Sequence, residues 1–379
     1  MPANVPERLR LTLTAMTPSG ECVAQHDDRD VFVAFGLPGE VVEVEIVHRR
    51  RNFVWARIVQ VLEPSPERVA PPCPHFGACG GCAWQHIAYD AQLRFKREIV
   101  REQLRRIGHV AELDVRPCIP SPTDYGYRNR IQFAASPNGR LGYRARASHA
   151  VVEINECPIA DARLNTIIAN TTMKHVGNVD LRVRDDDALH MTVGAYRYRV
   201  NDQSFFQVNS GVAELLVGEV LRAVDFRSGQ RVLDLYCGVG LFTVPLAVVG
   251  ARITGIEQSA TSVEDARHNL HEAGCADWAR VIAANVRDGL QQPDVISEQW
   301  DTVVVDPPRT GIERESLLAL VALQPRTIVY VSCDPASLAR DVKVLVKYGW
   351  TLIYAQPLDM FPQTHHVETV ALLRRRAVD

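Results

Sequence analysis

Five short apolar runs alternate with helical patterns in the C-terminal half of this 379-residue chain. The runs lie at residues 231–235, 252–257, 281–284, 302–306 and 327–331. Apolar runs of this length are typical of strands buried on both faces, and their alternation with helices predicts an α/β fold with a doubly wound parallel sheet. Ligands of such sheets bind beyond the carboxyl ends of the strands. The residues that follow these runs are therefore the first candidates for a functional site.

A tight glycine turn follows the first run, with Gly238 and Gly240 ahead of a helix. A dinucleotide fingerprint needs a third glycine, but Thr243 stands in its place, which favours a cofactor without phosphates. S-adenosylmethionine meets this condition, because it needs only close approach of the backbone. Glu257 ends the second run, where a carboxylate accepts hydrogen bonds from ribose hydroxyls, and Asp306 ends the fourth. These residues predict a site for S-adenosylmethionine; another ligand on a sheet of the same kind is the alternative.

Cys333 follows the fifth run and lies next to Asp334. A thiol at the end of a buried strand, beside acidic residues, is a candidate nucleophile. A free cysteine has a pKa of about 8.5, so only a few per cent is thiolate at neutral pH unless its surroundings help. The ordinary alternative for a cysteine is a small buried apolar side chain.

A second group of cysteines comes earlier in the chain, where Cys73, Cys79 and Cys82 have the spacing C-x5-C-x2-C. Four thiolates are the usual set for a tetrahedral zinc ion or an iron–sulfur cluster. Cys157 is the best candidate for the fourth ligand, because it precedes a proline as Cys73 does, and Cys118 is a weaker one. The spacing predicts a metal site and leaves zinc and iron–sulfur both open.

The N-terminal residues, from 8 to about 63, alternate apolar and polar positions over short runs around a turn at 36–40. This pattern predicts a small β-barrel. From Arg49 to Arg146 the chain has 17 Lys and Arg against 8 Asp and Glu, a net charge of +9, which leaves −12 for the rest given the total of −3. Such a basic segment indicates a polyanionic partner, with solvated surface helices as the alternative. Arginines and aromatics at 48–55 suit phosphate contact and base stacking.

We expect three domains: a β-barrel over residues 1–65, a mixed α/β segment with the cysteine cluster over 66–205, and the catalytic sheet over 206–379. A proline-rich linker at 63–72 marks the first boundary. The sequence contains no run of about eighteen uncharged apolar residues, so we expect no membrane span. The N-terminus lacks the apolar core of a secretory signal, which predicts a cytoplasmic protein with reduced thiols.

Six motifs, in order along the chain, resemble those of the RNA (uracil-5-)-methyltransferase family, in the branch that carries an iron–sulfur cluster and an N-terminal TRAM domain. They are the cysteine cluster, Ser-Phe-Phe-Gln-Val-Asn at 204–209, the glycine turn, Asp-Pro-Pro-Arg at 306–309, Ser-Cys-Asp-Pro at 332–335 and Phe-Pro-Gln-Thr-His-His-Val-Glu at 361–368. The resemblance covers nearly the whole chain. It implies a class I methyltransferase sheet, an OB-like TRAM barrel that binds RNA, and a central α/β insert that carries the cluster.

The resemblance also implies roles for individual residues. Cys333 would add to C6 of a uracil, and Glu368 would remove the proton from C5. His365 and His366 are the alternative bases. The residues that would contact S-adenosylmethionine are Gln207, Tyr236, Glu257 and Asp306, with Gly238 of the glycine turn and with Asn285 as a weaker candidate. The ligands of a [4Fe–4S] cluster would be Cys73, Cys79, Cys82 and Cys157.

RNA is the implied partner, with 23S ribosomal RNA as the first choice and the T-loop of tRNA as the second. A base inside a duplex cannot reach the thiol, so we expect an unpaired or flipped uridine, stacked on Phe205 or Phe206. Candidate phosphate contacts are Arg128, Arg130, Arg144 and Arg146. We expect a monomer. The alternatives are an RNA-binding protein without catalysis and a radical S-adenosylmethionine enzyme, whose C-x3-C-x2-C spacing this chain lacks.

Overall fold

The N-terminal sheet is the first of four sheets in the computed structural model, which describes residues 7–146, 148–174, 177–185 and 189–376. Its strands follow the order β1-β5-β6-β4-β3-β2, and β4 runs parallel to β6. The strands are β1 (Arg8–Thr12), β2 (Ala15–Met16), β3 (Cys22–His26), β4 (Arg29–Ala34), β5 (Val41–Arg49) and β6 (Phe53–Glu63). The predicted closure into a barrel is wrong for the described hydrogen bonding: β2 is only two residues long, and no pairing joins it to β1.

The turn before β5 is held by a buried carboxylate. Glu40 is fully buried, and its Oε2 accepts a hydrogen bond from the amide of Leu37 at 2.9 Å. Its Oε1 accepts from the amide of Ser65 at 3.2 Å, and Arg68 forms an ion pair with both oxygens. Burial opposes the charged form, but Arg68 and the two amides lower the pKa of Glu40 below its ordinary value. The turn and the end of β6 are thereby joined through one side chain.

The central segment begins with a long helix and continues with a small antiparallel sheet of order β10-β7-β8-β9. Its own core contains Ile131, Phe133, Leu141, Cys157 and Leu164. A separate hairpin pairs β11 with β12. The elements are α1 (Tyr89–Arg106), β7 (Arg130–Ala135), β8 (Leu141–Arg144), β9 (Val151–Glu153), α2 (Ala162–Asn170), β10 (Asn178–Arg182), β11 (His190–Val193) and β12 (Tyr196–Arg199).

The C-terminal sheet has the order β15-β14-β13-β16-β17-β19-β18; β19 runs antiparallel to both β17 and β18, and the other described pairs are parallel. The predicted doubly wound sheet is thus present. The strands are β13 (Arg231–Leu235), β14 (Arg252–Glu257), β15 (Ala279–Ala283), β16 (Thr302–Val305), β17 (Thr327–Ser332), β18 (Trp350–Leu358) and β19 (Glu368–Arg375). The helices are α3 (Ser210–Val224), α4 (Thr243–Val248), α5 (Ala260–Glu272), α6 (Val286–Leu290), α7 (Pro293–Ile296), α8 (Arg314–Leu323) and α9 (Pro335–Lys347).

Helix α1 packs on the C-terminal sheet rather than on the central one. Val100 and Leu104 of α1, and Val115 after it, belong to the same core as β13, β16 and β17. Residues 115 and 119 also pair in parallel with β18, at Ala355 and Leu358. This packing brings polar side chains of α1 to the loop that follows β18. No helix of the described chain is long and apolar enough to cross a membrane.

Replacement of Glu40 tests the joint at the 36–40 turn. Glu40→Ala leaves two amides and Arg68 without their acceptor, so we expect a loss of about 3 kcal/mol in the free energy of unfolding of this module, measured in urea. Because the pKa of Glu40 is lowered in the folded state, its contribution is present above the ordinary value of 4.5 and is lost as the pH falls below it. Glu43→Ala, which removes a partner from a surface pair with Arg8, is the control and should cost well under about 1 kcal/mol. Equal losses for the two variants would contradict the assignment.

Candidate functional site

The carboxyl ends of β14, β13, β16 and β17 lie side by side at one edge of the sheet. The amide of Asp306 donates to the carbonyl of Leu235 at 3.2 Å, and the amide of Cys237 donates to the carbonyl of Ile256 at 3.2 Å. The parallel ladders therefore continue one residue beyond the strands. As a result, Tyr236, Glu257 and Asp306 lie at the ends of neighbouring strands.

The glycine turn leaves open space beside a fixed carboxylate. Gly238 has a φ of +56°, and a side chain placed there would meet no atom within 4 Å. Its amide donates to Oε2 of Glu257 at 3.0 Å, while the amide of Ser259 donates to Oε1 at 2.8 Å. Both oxygens of Glu257 are thus oriented by backbone amides and keep lone pairs for further donors. Tyr236, just before the turn, holds a φ of +62°, an unusual conformation for a residue with a side chain.

Asp234 and Asp306, two buried carboxyl groups at the ends of β13 and β16, have raised pKa values. Burial, followed by repulsion from Asp234, raises the pKa of Asp306 to about 7. Burial, followed by repulsion from Glu257, raises the pKa of Asp234 to about 7, although Thr243 donates to its Oδ2 at 2.6 Å. The other oxygen of Asp234 is buried without a partner in the described structure. A bound cation or hydrogen-bond donor would relieve this excess of negative charge.

The remaining candidates for cofactor contact are less uniform. Gln207 is buried in the loop between β12 and α3, and its carbonyl accepts from Asn129 Nδ2 at 3.2 Å. Asn285 caps α6, where its side chain accepts from the amide of Asp288 at 2.9 Å.

Of the two phenylalanines predicted to stack a base, Phe205 is 65% exposed, whereas Phe206 is 3% exposed and packs in the core. Phe205 is therefore the one available for stacking.

Cys333 and Glu368 occupy matching positions on two antiparallel strands. Strands β17 and β19 pair Thr327 with Arg374 and, at the other end, Ser332 with Thr369. Continued by one residue, this register sets Cys333 opposite Glu368, and directly opposite side chains lie on the same face about 5 Å apart. The sequence motifs alone, 35 residues apart, did not predict this pairing.

Acidic surroundings keep the thiol protonated in the free protein. Burial, then the charges of Glu368 and Asp306, raise the pKa of Cys333 to about 12, while Arg309 acts in the opposite direction. Burial and Asp306 raise the pKa of Glu368 well above its ordinary value. These shifts link the thiol and the two carboxyl groups into one electrostatic site. Binding of a positively charged group would lower all three pKa values.

Two cavities meet near Cys333. The smaller, of about 80 Å³, is lined by Cys333, its neighbours, Pro18 of the N-terminal module and residues 365–367. The larger, of about 470 Å³, contains the four cysteines of the predicted cluster and Phe205. Arg309 and His366 line both. Burial lowers the pKa of His366 to about 3 and that of His365 to about 4, so both imidazoles are neutral at physiological pH.

The four cysteines of the predicted cluster all line the larger cavity. Burial and the neighbouring thiols raise the pKa of Cys79 to about 11 and that of Cys82 to about 12, and the same causes raise the pKa of Cys157. Thiols that line one cavity release their protons only when a cation compensates the negative charge of the thiolates. Gly81 donates its amide to Sγ of Cys79 at 3.4 Å, as backbone amides do to cluster sulfurs.

The sulfur donors and the Gly81 amide fit a group that is held by thiolates. Cys73 completes the set of four cysteines around the cavity. The hydroxyl of Tyr143 lies 3.5 Å from Sγ of Cys157 and adds a further polar contact. Within the described ranges, no three or more His, Cys, Asp or Glu side chains converge as they would around a single metal ion.

The predicted phosphate contacts differ in their partners. Arg130 forms an ion pair with Asp180, and Arg146 forms one with Glu21. Arg144 donates to the carbonyl of His149 at 2.6 Å, whereas Arg128 lines the larger cavity. Arg130 lines the same cavity but is paired with Asp180, so Arg128 is the better placed of these two for a nucleic acid that reaches Phe205.

Aromatic rings and arginines also meet on the N-terminal sheet, as the residues at 48–55 suggested. The rings of Phe32 and Trp55 stack at 5.8 Å, Phe53 is 41% exposed, and Arg50 lies over Trp55 at 5.9 Å from the ring centre. This surface combines positive charge with ring faces, the two features that single-stranded nucleic acids require.

Residues outside the predicted set also shape the site. Arg309 and His366 stood within recognised motifs, but their shared position between two cavities had no signal in the sequence. Gln92 and Gln363 lie 271 positions apart and exchange hydrogen bonds beside the site. Nothing in the composition of α1 distinguishes Gln92 from other polar residues of that helix.

Comparisons with known proteins show what this chain is similar to. The family described as tRNA (Uracil-5-)-methyltransferase matches residues 166–376, and the TRAM domain matches residues 2–59. An uncharacterised RNA methyltransferase of Gloeobacter violaceus is 33% identical over 97% of each chain. A 23S rRNA (uracil(1939)-C(5))-methyltransferase of Alkalilimnicola ehrlichii is 32% identical over 98% of each.

Among solved structures, the tRNA (uracil-54, C5)-methyltransferase of Pyrococcus abyssi, in complex with S-adenosyl-L-homocysteine, has a TM-score of 0.74 and 27% identity. The match covers 96% of this chain and 99% of that one. The C-terminal sheet is therefore a class I methyltransferase fold, and S-adenosylmethionine is its methyl donor. The chain belongs to the RNA (uracil-5-)-methyltransferase family and carries a TRAM domain at its N-terminus.

Proposed function

We propose that this enzyme methylates C5 of a uridine in RNA, with Cys333 as the nucleophile and Glu368 as the base. The observation that carries the proposal is the register of β17 and β19, which sets Cys333 opposite Glu368 at the edge of the sheet where Asp306 emerges. A protein that only bound RNA would need neither a thiol nor a buried carboxyl group at this position.

The chemistry of uracil accounts for the two residues. Its C5 is too weakly nucleophilic to be methylated directly. When the Cys333 thiolate adds to C6, the electrons of the C5–C6 double bond make C5 nucleophilic. Once C5 carries the methyl group, Glu368 takes the remaining C5 proton, the double bond re-forms and the C6–S bond breaks. The thiolate is recovered, and the proton leaves through Glu368.

The raised pKa of Glu368 suits this role. A carboxylate that binds protons tightly is a stronger base towards a carbon acid than an ordinary surface carboxylate. Arg309 favours the charged form and so helps Glu368 to lose its proton before the reaction. The same positive charge favours the thiolate of Cys333.

S-adenosylmethionine supplies a methyl group on a positively charged sulfur when it is bound. We propose that Glu257 and Gly238 hold its ribose end and that Tyr236, Gln207 and Asp306 surround the rest. The support is the open space at Gly238 and the oriented oxygens of Glu257. Positive charge in the site would lower the pKa of Cys333 and Glu368, so binding of the donor favours both reactive forms.

We propose 23S ribosomal RNA as the substrate. The support is the 23S rRNA methyltransferase of Alkalilimnicola ehrlichii, whose match covers 98% of this chain and so includes the N-terminal module. A tRNA T-loop is the second candidate, because the Pyrococcus abyssi structure covers 96% of the chain. Exposed Phe205 and the rings of the N-terminal sheet suit an unpaired strand in either RNA. The proposal includes a cytoplasmic, monomeric enzyme.

We also propose that Cys73, Cys79, Cys82 and Cys157 bind a [4Fe–4S] cluster. Four thiols around one cavity of about 470 Å³ provide the ligands that such a cluster needs. The cavity continues to Phe205 and His366, so the cluster would lie beside the path of the RNA. The cluster would shape the wall of this cavity and would transfer no electrons in the reaction.

Replacement of the base tests the mechanism. Glu368→Gln should still form the covalent bond between Cys333 and RNA but release it slowly, so a protein–RNA adduct should accumulate on a denaturing gel. Cys333→Ala should form no adduct and no 5-methyluridine, while its affinity for S-adenosylmethionine changes little. Glu272→Gln, at the end of α5, and Cys275→Ala, three residues after it, are matched controls and should behave as the unchanged enzyme. Turnover by Cys333→Ala would exclude it as the nucleophile.

The pKa of Cys333 predicts a pH dependence. Because its value is about 12, the thiolate fraction should rise about tenfold per pH unit through the neutral range. RNA containing 5-fluorouridine blocks proton removal, so adduct formation on it reports the addition step alone. Its rate in single-turnover experiments should rise between about pH 6 and about pH 8.5. A flat profile would show that the thiol is already ionised in the complex.

Metal analysis tests the cysteine cluster. Protein purified without oxygen should be brown and contain about four iron and four sulfide per chain. Cys157→Ser should lose most of this iron and the visible absorption, whereas Cys118→Ser, a buried cysteine outside the cavity, should keep both. Stoichiometric zinc in a colourless protein would overturn the assignment.

The RNA target can be determined in cells. Mass spectrometry of 23S rRNA and tRNA from strains with and without the gene should show one 5-methyluridine lost from rRNA. Its loss from tRNA instead would select the second candidate.

A further inference from the structure

The connector between β18 and β19, residues 359–367, forms part of both cavities and leads directly into Glu368. Phe361, Thr364 and His366 face the larger cavity, and His365, His366 and Val367 face the smaller. The ladder places the backbone of Glu368, and the connector that leads into it forms cavity wall beside Cys333, so whatever fixes the connector affects how Glu368 and His366 are presented there.

Gln363 is the point at which the connector is held. It is 2% exposed and has a φ of +68°, a conformation that a residue with a side chain adopts only when its surroundings impose it. Its amide donates to Oε1 of Gln92 at 3.0 Å. Its carbonyl accepts from the amides of Ala83 at 3.1 Å and Trp84 at 3.0 Å. Both main-chain groups of Gln363 are therefore bonded to residues more than 270 positions away in the chain.

Gln92 completes this exchange from α1. It is fully buried, and its Nε2 donates to Oε1 of Gln363 at 3.0 Å, to the carbonyl of Ile87 at 2.9 Å and to that of Trp84 at 3.2 Å. One amide side chain thus bonds both the connector and the segment that follows Cys82. Because these groups are buried, each lost hydrogen bond leaves a polar atom without a partner.

A second contact lies one helical turn further along α1. Lys96 and Asp359 form a fully buried ion pair, and Nζ of Lys96 also donates to the carbonyl of Phe361 at 3.1 Å. This pair fixes the start of the connector, while Gln92 fixes its middle. The stretch from Gln363 to Glu368 follows directly after this second contact.

We propose that Gln92 is a positioning residue for removal of the C5 proton: it holds the connector so that Glu368 reaches the substrate bound to Cys333. The inference rests on the proposed function, and it adds a residue of α1 that touches neither the thiol nor the base. It also connects the cysteine segment to the base, since Ala83 and Trp84 follow Cys82 directly.

Gln92→Met keeps the length of the side chain and removes its polar atoms. Displacement of a reacting group by about 1 Å lowers rates by up to about a hundredfold, so turnover should fall about tenfold to a hundredfold. Because the defect is in proton removal, the covalent RNA adduct should accumulate during turnover. The affinity for S-adenosylmethionine should change less than about twofold, because the cofactor residues lie on other elements.

Gln363→Met is the milder variant, because it removes the side-chain half of the exchange and a long bond from Nε2 to the carbonyl of Asp124 at 3.5 Å, but keeps the main-chain bonds. It should show the same accumulation of adduct with a smaller loss of rate, and it serves if Gln92→Met is poorly folded. Gln103→Met is the matched control: it changes the same residue type, mostly buried, about three turns further along α1. It should leave turnover and adduct level unchanged.

Glu368→Gln, measured in parallel, distinguishes a failure of the proposed function from a failure of the positioning role of Gln92. If Glu368→Gln accumulates no adduct, the proposed function fails. If it does, but Gln92→Met and Gln363→Met turn over without accumulation, only the positioning role of Gln92 is overturned. A parallel fall of adduct formation and turnover in the folded variants would likewise overturn it, because that result indicates a general structural role.

Discussion

The antiparallel register of β17 and β19 is the constraint on which the site depends. In a sheet of parallel strands alone, residues that follow neighbouring strands all point from the same edge, and a thiol meets only other strand ends. Because β19 enters in the opposite direction, its first residue, Glu368, faces the residue after the last one of β17. The proposed nucleophile and base thereby lie at the same end of one ladder, the carboxyl end of β17 and the amino end of β19, and a shift of a single position would turn Glu368 to the other face.

The sequence predicted the interior of the sheet well and its edges less well. Strands β13 and β14 lie where their apolar runs do, because nearly all their residues are buried and each strand begins at an arginine. Strand β15 begins two residues earlier than its run. It is an edge strand with alternating exposure, so its polar residue Arg280 belongs to the ladder although it interrupts the apolar pattern. The open N-terminal sheet was missed for a similar reason, since pairing between terminal strands has no local signal.

The candidate site divides in the same way. Gly238, Glu257, Asp306 and Cys333 were accessible to prediction because each directly follows, or ends, a recognisable strand. Gln92 was not, because its role depends on where α1 packs, and that is decided by apolar contacts of Val100 and Leu104 with the C-terminal sheet. Local pattern identifies groups that do chemistry, whereas long-range packing decides which groups hold them in place.

The position of β19 also has a consequence for the order in which the molecule assembles. The five parallel strands, β13 to β17, precede it in the chain and can associate as they are synthesised. Strand β18 is made before β19 but lies outside it in the sheet, and its ladder is with β19. It therefore has to wait for a later segment to insert between it and β17. Cys333, the proposed nucleophile, would be present on an incomplete sheet before Glu368, its proposed base, is made, so catalytic competence would be among the last properties that a newly made chain acquires.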